Sequence, residues 1–161
     1  CSVLSMLSDY FKGVKSRRCL NRLGYQQRRD FFYPDGMGGK LKIDRLVQGQ
    51  HGISVVLYMP YEGNIFCADN IDEWTQMTGG KSYSFENPLN HLDITVNTVS
   101  EVVSVPVDGY LYFGHRAGFP KGRPHRVISH DCLPEALTPP RKSKPDATVV
   151  DAWNVLVDMA V

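Results

Sequence analysis

The sequence predicts a mainly β domain with antiparallel strands and short peripheral helices. Two apolar runs carry this prediction: GISVVLYM at Gly52–Met59 and LDITVNTVSEVVSVPVDGYLYF at Leu92–Phe113. Both runs are rich in Val, Ile, Thr, Tyr and Phe, which suit a pleated, half-buried surface. The 14 glycines and 10 prolines among 161 residues indicate many turns. A chain of this length can bury one substantial core.

Five segments between residues 40 and 85 have the character of strands or of their connections. Lys40–Leu46 alternates apolar and polar residues, which indicates a strand with one wet face. Ile53–Met59 is almost continuously apolar, as in a strand covered on both faces, and Pro60 ends it. Asn64–Cys67 is expected to be a short extension and Lys81–Phe85 an alternating strand, while the polar segment Asp69–Thr78 is expected to be a loop or a helical turn.

Within the long apolar run, Leu92–Asn97 alternates and predicts a strand with one wet face, followed by a buried strand at Val99–Val105. Pro106 cannot donate to a sheet ladder, so we expect it at an edge or a bulge. Asp108-Gly109 is a turn signal.

Helices are predicted at both ends of the chain. Ser2–Phe11 has apolar residues at helical spacing, with Ser2 as an N-cap and Gly13 as a stop. We expect its apolar face to pack on the core, because its polar face lacks the Lys and Arg of a membrane-surface helix. Ala147–Met159, after Asp146, also has helical spacing, although its valines leave a strand open.

These patterns divide the chain into four parts. They are a leading amphipathic helix at 1–13, a β-sandwich domain at 14–113, a Gly/Pro/basic arm at 114–145 and an apolar docking tail at 146–161. Trp153 and Leu156 are the candidate docking residues of the tail, either on the core of this chain or on a neighbouring subunit. Because the sequence starts at Cys1 and not at Met, we expect it to be cut from a longer precursor or to be part of one.

Charge is segregated along the chain although the net charge is only +1. Lys12–Arg45 contains ten basic and three acidic residues, whereas Glu62–Asp108 contains eight acids and Lys81 as its one base. Such segregation of charge can serve contacts between subunits or the binding of a polyanion. The alternative is that solvated residues of like charge happen to lie together along the chain. The candidate polyanion contacts are Arg17, Arg18, Arg22, Arg28 and Arg29.

The sequence contains no recognisable catalytic, cofactor or metal motif. It lacks CxxC pairs and a GxSxG elbow, and DGMGG at Asp35–Gly39 does not continue as a Walker loop. The four widely spaced cysteines are expected to be reduced, because a domain of this size does not need disulfides. His130 and Cys132 form the one local cluster that could serve a Cys–His nucleophile, but such partners meet in space and not in sequence. No apolar run approaches the ~20 residues of a membrane-spanning helix.

The order of several segments resembles capsid subunits of picorna-like viruses, such as dicistroviruses and iflaviruses. SVLSMLSDYF is similar to an early Ser/Leu-rich helix of that family, and FFYPDGMGGKLKI at Phe31–Ile43 to its aromatic strand, glycine turn and "RYK"-like strand. ISVVLYMP at Ile53–Pro60 resembles the next apolar strand, and Gly79–Tyr83 with Asn87 resembles a "GSAY…N" element. EVVSVPVDGYLYF at Glu101–Phe113 is similar to a closing Val-Pro strand. The Arg-Gly-Ser that precedes the "RYK" strand in the family is absent, and Phe11 and Phe31 are too close for a full front half of an eight-stranded jelly roll.

The resemblance implies a jelly-roll-like β-sandwich that serves as a structural subunit of a non-enveloped icosahedral particle. Its partners would be other capsid subunits and, non-specifically, genomic RNA; it would need no cofactor or metal. It would be found in the virion and, during assembly, in the host cytoplasm. Two other functions remain open. One is a carbohydrate- or protein-binding module that stacks ligands on Tyr58, Tyr61, Trp74 and Tyr110, and the other is a hydrolase that uses His130 and Cys132.

Overall fold

A computed structural model describes residues 3–161, so the predicted N-cap Ser2 lies outside the described residues. Over this range the fold is mixed α/β, with about 34% strand, two sheets and three α-helices. The predicted β character is therefore found, together with more helix than the sequence predicted.

The helices are α1 (Val3–Asn21), α2 (Leu89–Ser100) and α3 (Ala147–Asp158), with a 3-10 helix at Glu135–Leu137. The strands are β1 (Gln26–Pro34), β2 (Lys40–Gln48), β3 (Ile53–Met59), β4 (Gly63–Phe66), β5 (Glu73–Thr78), β6 (Lys81–Glu86), β7 (Val107–Phe113), β8 (Ala117–Gly118) and β9 (Val127–Ile128). The predicted strands at Lys40–Leu46, Ile53–Met59 and Lys81–Phe85 are confirmed, as is the short extension at Asn64–Cys67 in β4.

One sheet has the strand order β1-β2-β3-β7-β9 and the other β6-β5-β4-β8. In the first sheet β2 pairs antiparallel with both β1 and β3. In the second, β5 pairs antiparallel with both β4 and β6, whereas β8 runs parallel to β4. These ladders are therefore antiparallel, as predicted, except the ladder between β4 and β8, which is parallel.

The chain divides into two compact units that differ from the four predicted parts. Unit 1 comprises Cys1–Arg22, Met59–Asn87 and Tyr112–Leu133, and unit 2 comprises Leu23–Tyr58, Pro88–Leu111 and Pro134–Val161.

In unit 2, the predicted strand at Leu92–Asn97 is wrong, because this segment forms helix α2. The buried residues Leu89, Leu92, Thr95 and Val99 recur at helical spacing, whereas Ile94 is 58% exposed. The β-branched threonines are accommodated by bonds to the preceding turn: the Thr95 hydroxyl donates to His91 O at 2.9 Å. Of the alternating apolar residues only Leu92 lies on the buried stripe, so the alternation did not indicate which face is buried.

The two other expectations for this run also change. Residues 101–106 form turns and bends, so the predicted buried strand at Val99–Val105 is wrong. Pro106 lies just before β7, where no ladder donor is needed, and its carbonyl accepts a bond from Ile53 N at 3.0 Å. Asp108-Gly109 is inside β7 and not a turn. A Cβ on Gly109 would lie 2.5 Å from Val96 Cγ2, so the glycine permits the close approach of α2 to β7.

The predicted C-terminal helix is confirmed as α3, which buries Val149, Trp153 and Leu156. Two contacts fix the end of the chain within unit 2. The Tyr33 hydroxyl lies 3.8 Å from Met159 Sδ, and Val161 N donates to Phe32 O at 3.0 Å.

In unit 1, Asp69–Thr78 is not a loop or helical turn throughout, because Glu73–Thr78 forms β5. It pairs with β6 over its whole length across the turn Gly79-Gly80. Both glycines have positive φ, 58° and 74°, as a two-residue type I′ turn requires. The Asn87 side chain closes the preceding loop by donating to the carbonyls of Asp69 at 3.2 Å and Ile71 at 2.9 Å.

The segment 114–145 is not an extended arm throughout. It contributes β8 and β9 to unit 1 and the 3-10 helix to unit 2. Val127, Ile128 and Leu137 are buried, and Leu137 O accepts a bond from Gly24 N at 2.9 Å. These buried apolar residues show that the segment packs on the rest of the fold at several points.

Candidate assembly surface

The first three turns of α1 expose a row of large apolar side chains. Helix α1 does not stop at Gly13 as predicted but continues to Asn21, and its buried positions are Gly13, Ser16 and Leu20. The exposed apolar residues are Val3 (72%), Leu4 (78%), Met6 (66%), Leu7 (46%), Tyr10 (62%) and Phe11 (64%). The expectation that this apolar face packs on the core of its own chain is therefore wrong. These grouped apolar side chains make the first turns of α1 a candidate contact site.

An ionic cluster fixes the middle of α1 to unit 1. Arg116 donates to Asp9 Oδ2 through Nη2 at 2.7 Å and through Nε at 3.2 Å, so two of its N–H groups engage one carboxylate. His115 Nε2 lies 3.0 Å from Asp9 Oδ1, and Arg116 Nη1 lies 3.5 Å from Glu62 Oε1. The bonds from Arg116, and secondarily that from His115, hold the pKa of Asp9 below its usual value.

Two close contacts continue this attachment along the helix. A Cβ on Gly13 would lie 3.1 Å from His115 Cε1, so the helix approaches the His115 ring closely. One turn further, the Ser16 hydroxyl lies 2.8 Å from the Tyr112 hydroxyl, and both side chains are buried. The orientation of α1 is thus set at Asp9, Gly13 and Ser16, which leaves the apolar residues of its first turns facing solvent.

The basic half of α1 follows directly on the apolar half. Arg17, Arg18 and Arg22 are exposed on α1 and just after it in unit 1, and Arg28 and Arg29 are exposed on β1 in unit 2. At 100° per residue, Lys15 and Arg18 continue the face that carries Leu4, Leu7 and Phe11. The longer helix therefore has basic residues on its exposed face. The expected argument against a membrane-surface helix, that its polar face lacks Lys and Arg, does not hold for the whole of α1.

The two candidate docking residues of the C-terminal tail are buried inside unit 2. Trp153 is 2% and Leu156 0% exposed, so these side chains pack on the core of their own chain.

The aromatic residues considered for ligand stacking do not form a common exposed surface. Trp74 is fully buried and donates from Nε1 to Ala68 O at 3.0 Å, and Tyr110 is 8% exposed. Tyr61 stacks on Phe85 at 3.9 Å between ring centroids, and Tyr58 alone of the four is largely exposed, at 47%.

The His130–Cys132 cluster forms a tight turn closed by a bridge between Ser129 and Cys132. The Ser129 hydroxyl donates to the Asp131 carboxylate and accepts a bond from Arg123 Nη1 at 3.2 Å. The bond from Ser129 lowers the pKa of Asp131, so this carboxylate is engaged by Ser129. His130 Nδ1 is buried without a hydrogen-bond partner, and Cys132 is exposed.

The other two described cysteines are free and poorly suited to nucleophilic chemistry. Burial raises the pKa of Cys19, and it raises the pKa of Cys67 to about 11. At neutral pH both are therefore thiols, and the thiolate is the reactive form.

Unit 2 contains a pocket of about 560 Å³. Its wall includes the turn Gly49–Gly52, Ser54, Pro106 and the acidic residues Asp108 and Glu135. Within that turn, His51 Nδ1 lies 2.8 Å from Asp146 Oδ2. The volume lies in the range of small-molecule sites.

Within residues 3–161, no three His, Cys, Asp or Glu side chains are grouped so that they could hold a metal ion. Over the same residues, the helices are too short or too polar to cross a membrane.

The chain matches no protein-family model, no curated protein and no solved structure. No similar protein therefore indicates a role for the exposed half of α1, and its role is inferred from its side chains alone. No local sequence signal could have revealed its exposure, because an apolar helical stripe looks the same whether it is buried or exposed.

Proposed function

We propose that this protein is a structural subunit that assembles with further subunits, as the capsid proteins of non-enveloped icosahedral RNA viruses do. The observation that supports the proposal is the exposed apolar row of α1, which a partner would cover. Burying one such side chain fully contributes roughly 1.5–3 kcal/mol, so covering several of them offsets a substantial part of the cost of association. On this proposal the two sheets belong to a jelly-roll-like sandwich, and the protein is found in the virion and in the host cytoplasm during assembly.

The basic half of α1 gives the proposed assembly a second partner. Arg17, Arg18 and Arg22 are exposed within two turns of one another. They do not belong to a recognisable motif that reads a base sequence. Contacts of this kind with phosphates are non-specific and weaken steeply as salt is raised. We therefore propose that they contact genomic RNA without sequence preference.

The test replaces the apolar row and keeps the fold. The variant Leu4→Ser/Leu7→Ser/Phe11→Ser removes three exposed side chains, and the control Met37→Ser removes one that is 91% exposed on a glycine-rich turn outside α1. Sedimentation velocity with and without RNA, followed by electron microscopy, measures assembly. We expect the wild type and the control to form closed particles and the triple variant to form none, with an unchanged circular dichroism spectrum.

Three results would count against the proposal. The triple variant could assemble as well as the wild type, or the full-length wild type could stay monomeric at every concentration with RNA. The third is that α1 binds vesicles of anionic lipid while the protein remains monomeric, which would make the apolar row a membrane contact.

A second candidate, a binding module, is favoured by the pocket in unit 2. The acidic residues and prolines of this pocket suit a polyol or a peptide. Trp74, which the sequence suggested for ligand stacking, is buried and is not part of this second candidate site. Glycan and peptide arrays should then show binding that is lost in Asp108→Asn/Glu135→Gln. Binding unaffected by that variant would remove this candidate.

A further inference from the structure

The two sheets have four outer edges, and three of them are blunted. The edge strands β8 and β9 are two residues long. The edge strand β1 carries exposed Arg28 and Arg29, a residue with positive φ at Asp30 (48°) and Pro34 at its end. Charges, kinks and prolines are the devices by which proteins prevent unwanted pairing at sheet edges.

Strand β6 is the fourth edge, and it lacks these devices. Its six residues pair with β5 without interruption, from Lys81 opposite Thr78 to Glu86 opposite Glu73. It has no proline, and its charges stand only at its two ends. All of its residues except Phe85 are exposed. In a chain that blunts its other edges, a long regular edge is suited to pairing.

The hairpin geometry determines which backbone groups this edge offers. Thr78 and Lys81 flank a two-residue turn, so they form a hydrogen-bonded pair, and such pairs alternate along an antiparallel ladder. Lys81, Tyr83 and Phe85 therefore use their backbone groups toward β5. Ser82, Ser84 and Glu86 direct their N–H and C=O groups outward.

We propose that β6 pairs with β6 of a second copy of this chain, antiparallel and with Ser84 on the two-fold axis, so that two four-stranded sheets become one. This register sets Ser82 against Glu86 and Ser84 against Ser84, which satisfies the outward groups with about six backbone hydrogen bonds. It goes beyond the proposed function by naming a specific interface, and it does not use α1.

The side chains favour a second copy as the occupant. Antiparallel pairing brings the Lys81 end of one strand to the Glu86 end of the other, so opposite charges meet at both ends and like charges do not face each other. Tyr83, which is 48% exposed, comes opposite Phe85 of the second copy in a closely spaced pair, twice across the axis. At the centre only the small Ser84 side chains oppose each other.

Cysteine cross-linking tests the register. In a Cys1→Ser/Cys132→Ser background, Ser84→Cys places two thiols on residues whose Cα atoms are about 5.5 Å apart, within disulfide range. The matched control is Ser82→Cys, on the same exposed edge, whose two copies would be about 14 Å apart. After mild oxidation, the disulfide-linked dimer of the Ser84→Cys variant should be at least about tenfold more abundant than that of the Ser82→Cys variant, and peptide mass mapping should locate the link at position 84. Equal or absent linking in both variants overturns the proposal.

A proline variant tests the same edge without cross-linking. Because the Ser84 N–H points away from β5, Ser84→Pro keeps the β5–β6 ladder and blocks the outer edge. We expect the dimer dissociation constant to rise at least about tenfold, while the tryptophan fluorescence and the melting temperature stay close to those of the wild type. An unchanged dissociation constant, or pairing of β6 with a strand of a different protein, contradicts the proposal.

The β6 interface and the proposed capsid function can fail separately, and each failure gives a different result. Particles that form while the Ser84→Cys variant stays unlinked remove only the β6 interface. A link at position 84 that forms in solution without any larger particle supports the β6 interface and removes the capsid function.

Discussion

The packing of helix α2 on strand β7 makes Gly109→Ala a sharp test of the fold. The new Cβ would lie 2.5 Å from Val96 Cγ2 and 2.8 Å from Leu92 Cδ1, distances at which the helix must shift. Overpacking of this kind costs about 1–3 kcal/mol, and replacing a glycine within a strand returns about 0.5–1 kcal/mol. Because the closest contact would be 2.5 Å, we take the upper part of the overpacking range, about 2–3 kcal/mol, and expect a net loss of roughly 1–2.5 kcal/mol in the free energy of unfolding.

Urea titration followed by circular dichroism measures this loss, and the melting temperature should fall by roughly 2–4 °C per kcal/mol. Gly118→Ala is the control, because its Cβ would meet only Asn64 Oδ1, at 3.3 Å. We expect that variant to change stability by less than about 0.5 kcal/mol.

A double-variant cycle identifies the cause of the loss. Val96→Ala opens the space that the new methyl group needs, so Gly109→Ala/Val96→Ala should be roughly 1 kcal/mol more stable than the sum of the single effects predicts. Additive effects, or a Gly109→Ala variant as stable as the wild type, would show that α2 does not lie against β7 at this point.

Two further predictions concern ionisation. Since the folded-state pKa of Asp9 is lowered, its bonds to Arg116 stabilise the protein above the unfolded pKa of about 3.9 and are lost as pH falls through the folded value. Asp9→Asn should therefore lower the urea midpoint at pH 6 and match the wild type near pH 2; a constant difference at both pH values would contradict this. Because burial raises the pKa of Cys67 to about 11, iodoacetamide at pH 8 should alkylate exposed Cys132 at least about tenfold faster than Cys67 in the native protein. Peptide mass mapping measures both rates, which should converge in urea; equal rates in the native protein would show that the half-buried Cys67 is not protected by the fold.

The sequence predicted best where tertiary packing agrees with the conformation that the local pattern favours. Ile53–Met59 is almost continuously apolar and short, which favours a strand covered on both faces, and it is β3. Trp153 and Leu156 are three residues apart and face the core from α3. In both segments local pattern and tertiary packing require the same conformation.

The failures occur where a local pattern fits two structures. Leu92–Asn97 alternates like a strand, yet Leu92, Thr95 and Val99 also fall on one helical stripe, and packing against Gly109 selects the helix. Asp69–Thr78 lacks a strand pattern of its own and becomes β5 through its hairpin with β6. Tertiary contacts determine the conformation of both segments, and these contacts cannot be read from the local pattern of a single sequence.

The candidate assembly surface was the least predictable part. The apolar residues of α1 were found at the right spacing, but their exposure depends on Asp9, which meets Arg116 from a distant segment. The open edge at β6 depends on the order of strands in the sheet, which no local motif encodes.

The Gly79-Gly80 turn also has a consequence for the order of events in folding. It joins β5 and β6 by the shortest connection in the smaller sheet, and a hairpin closed by such a turn forms within about 1–10 μs. Contacts that must close long stretches of chain, such as that of Ser16 with Tyr112, form more slowly. The edge at β6 would therefore be ready while the rest of the chain is still folding, and newly made copies at high local concentration could pair before either is complete.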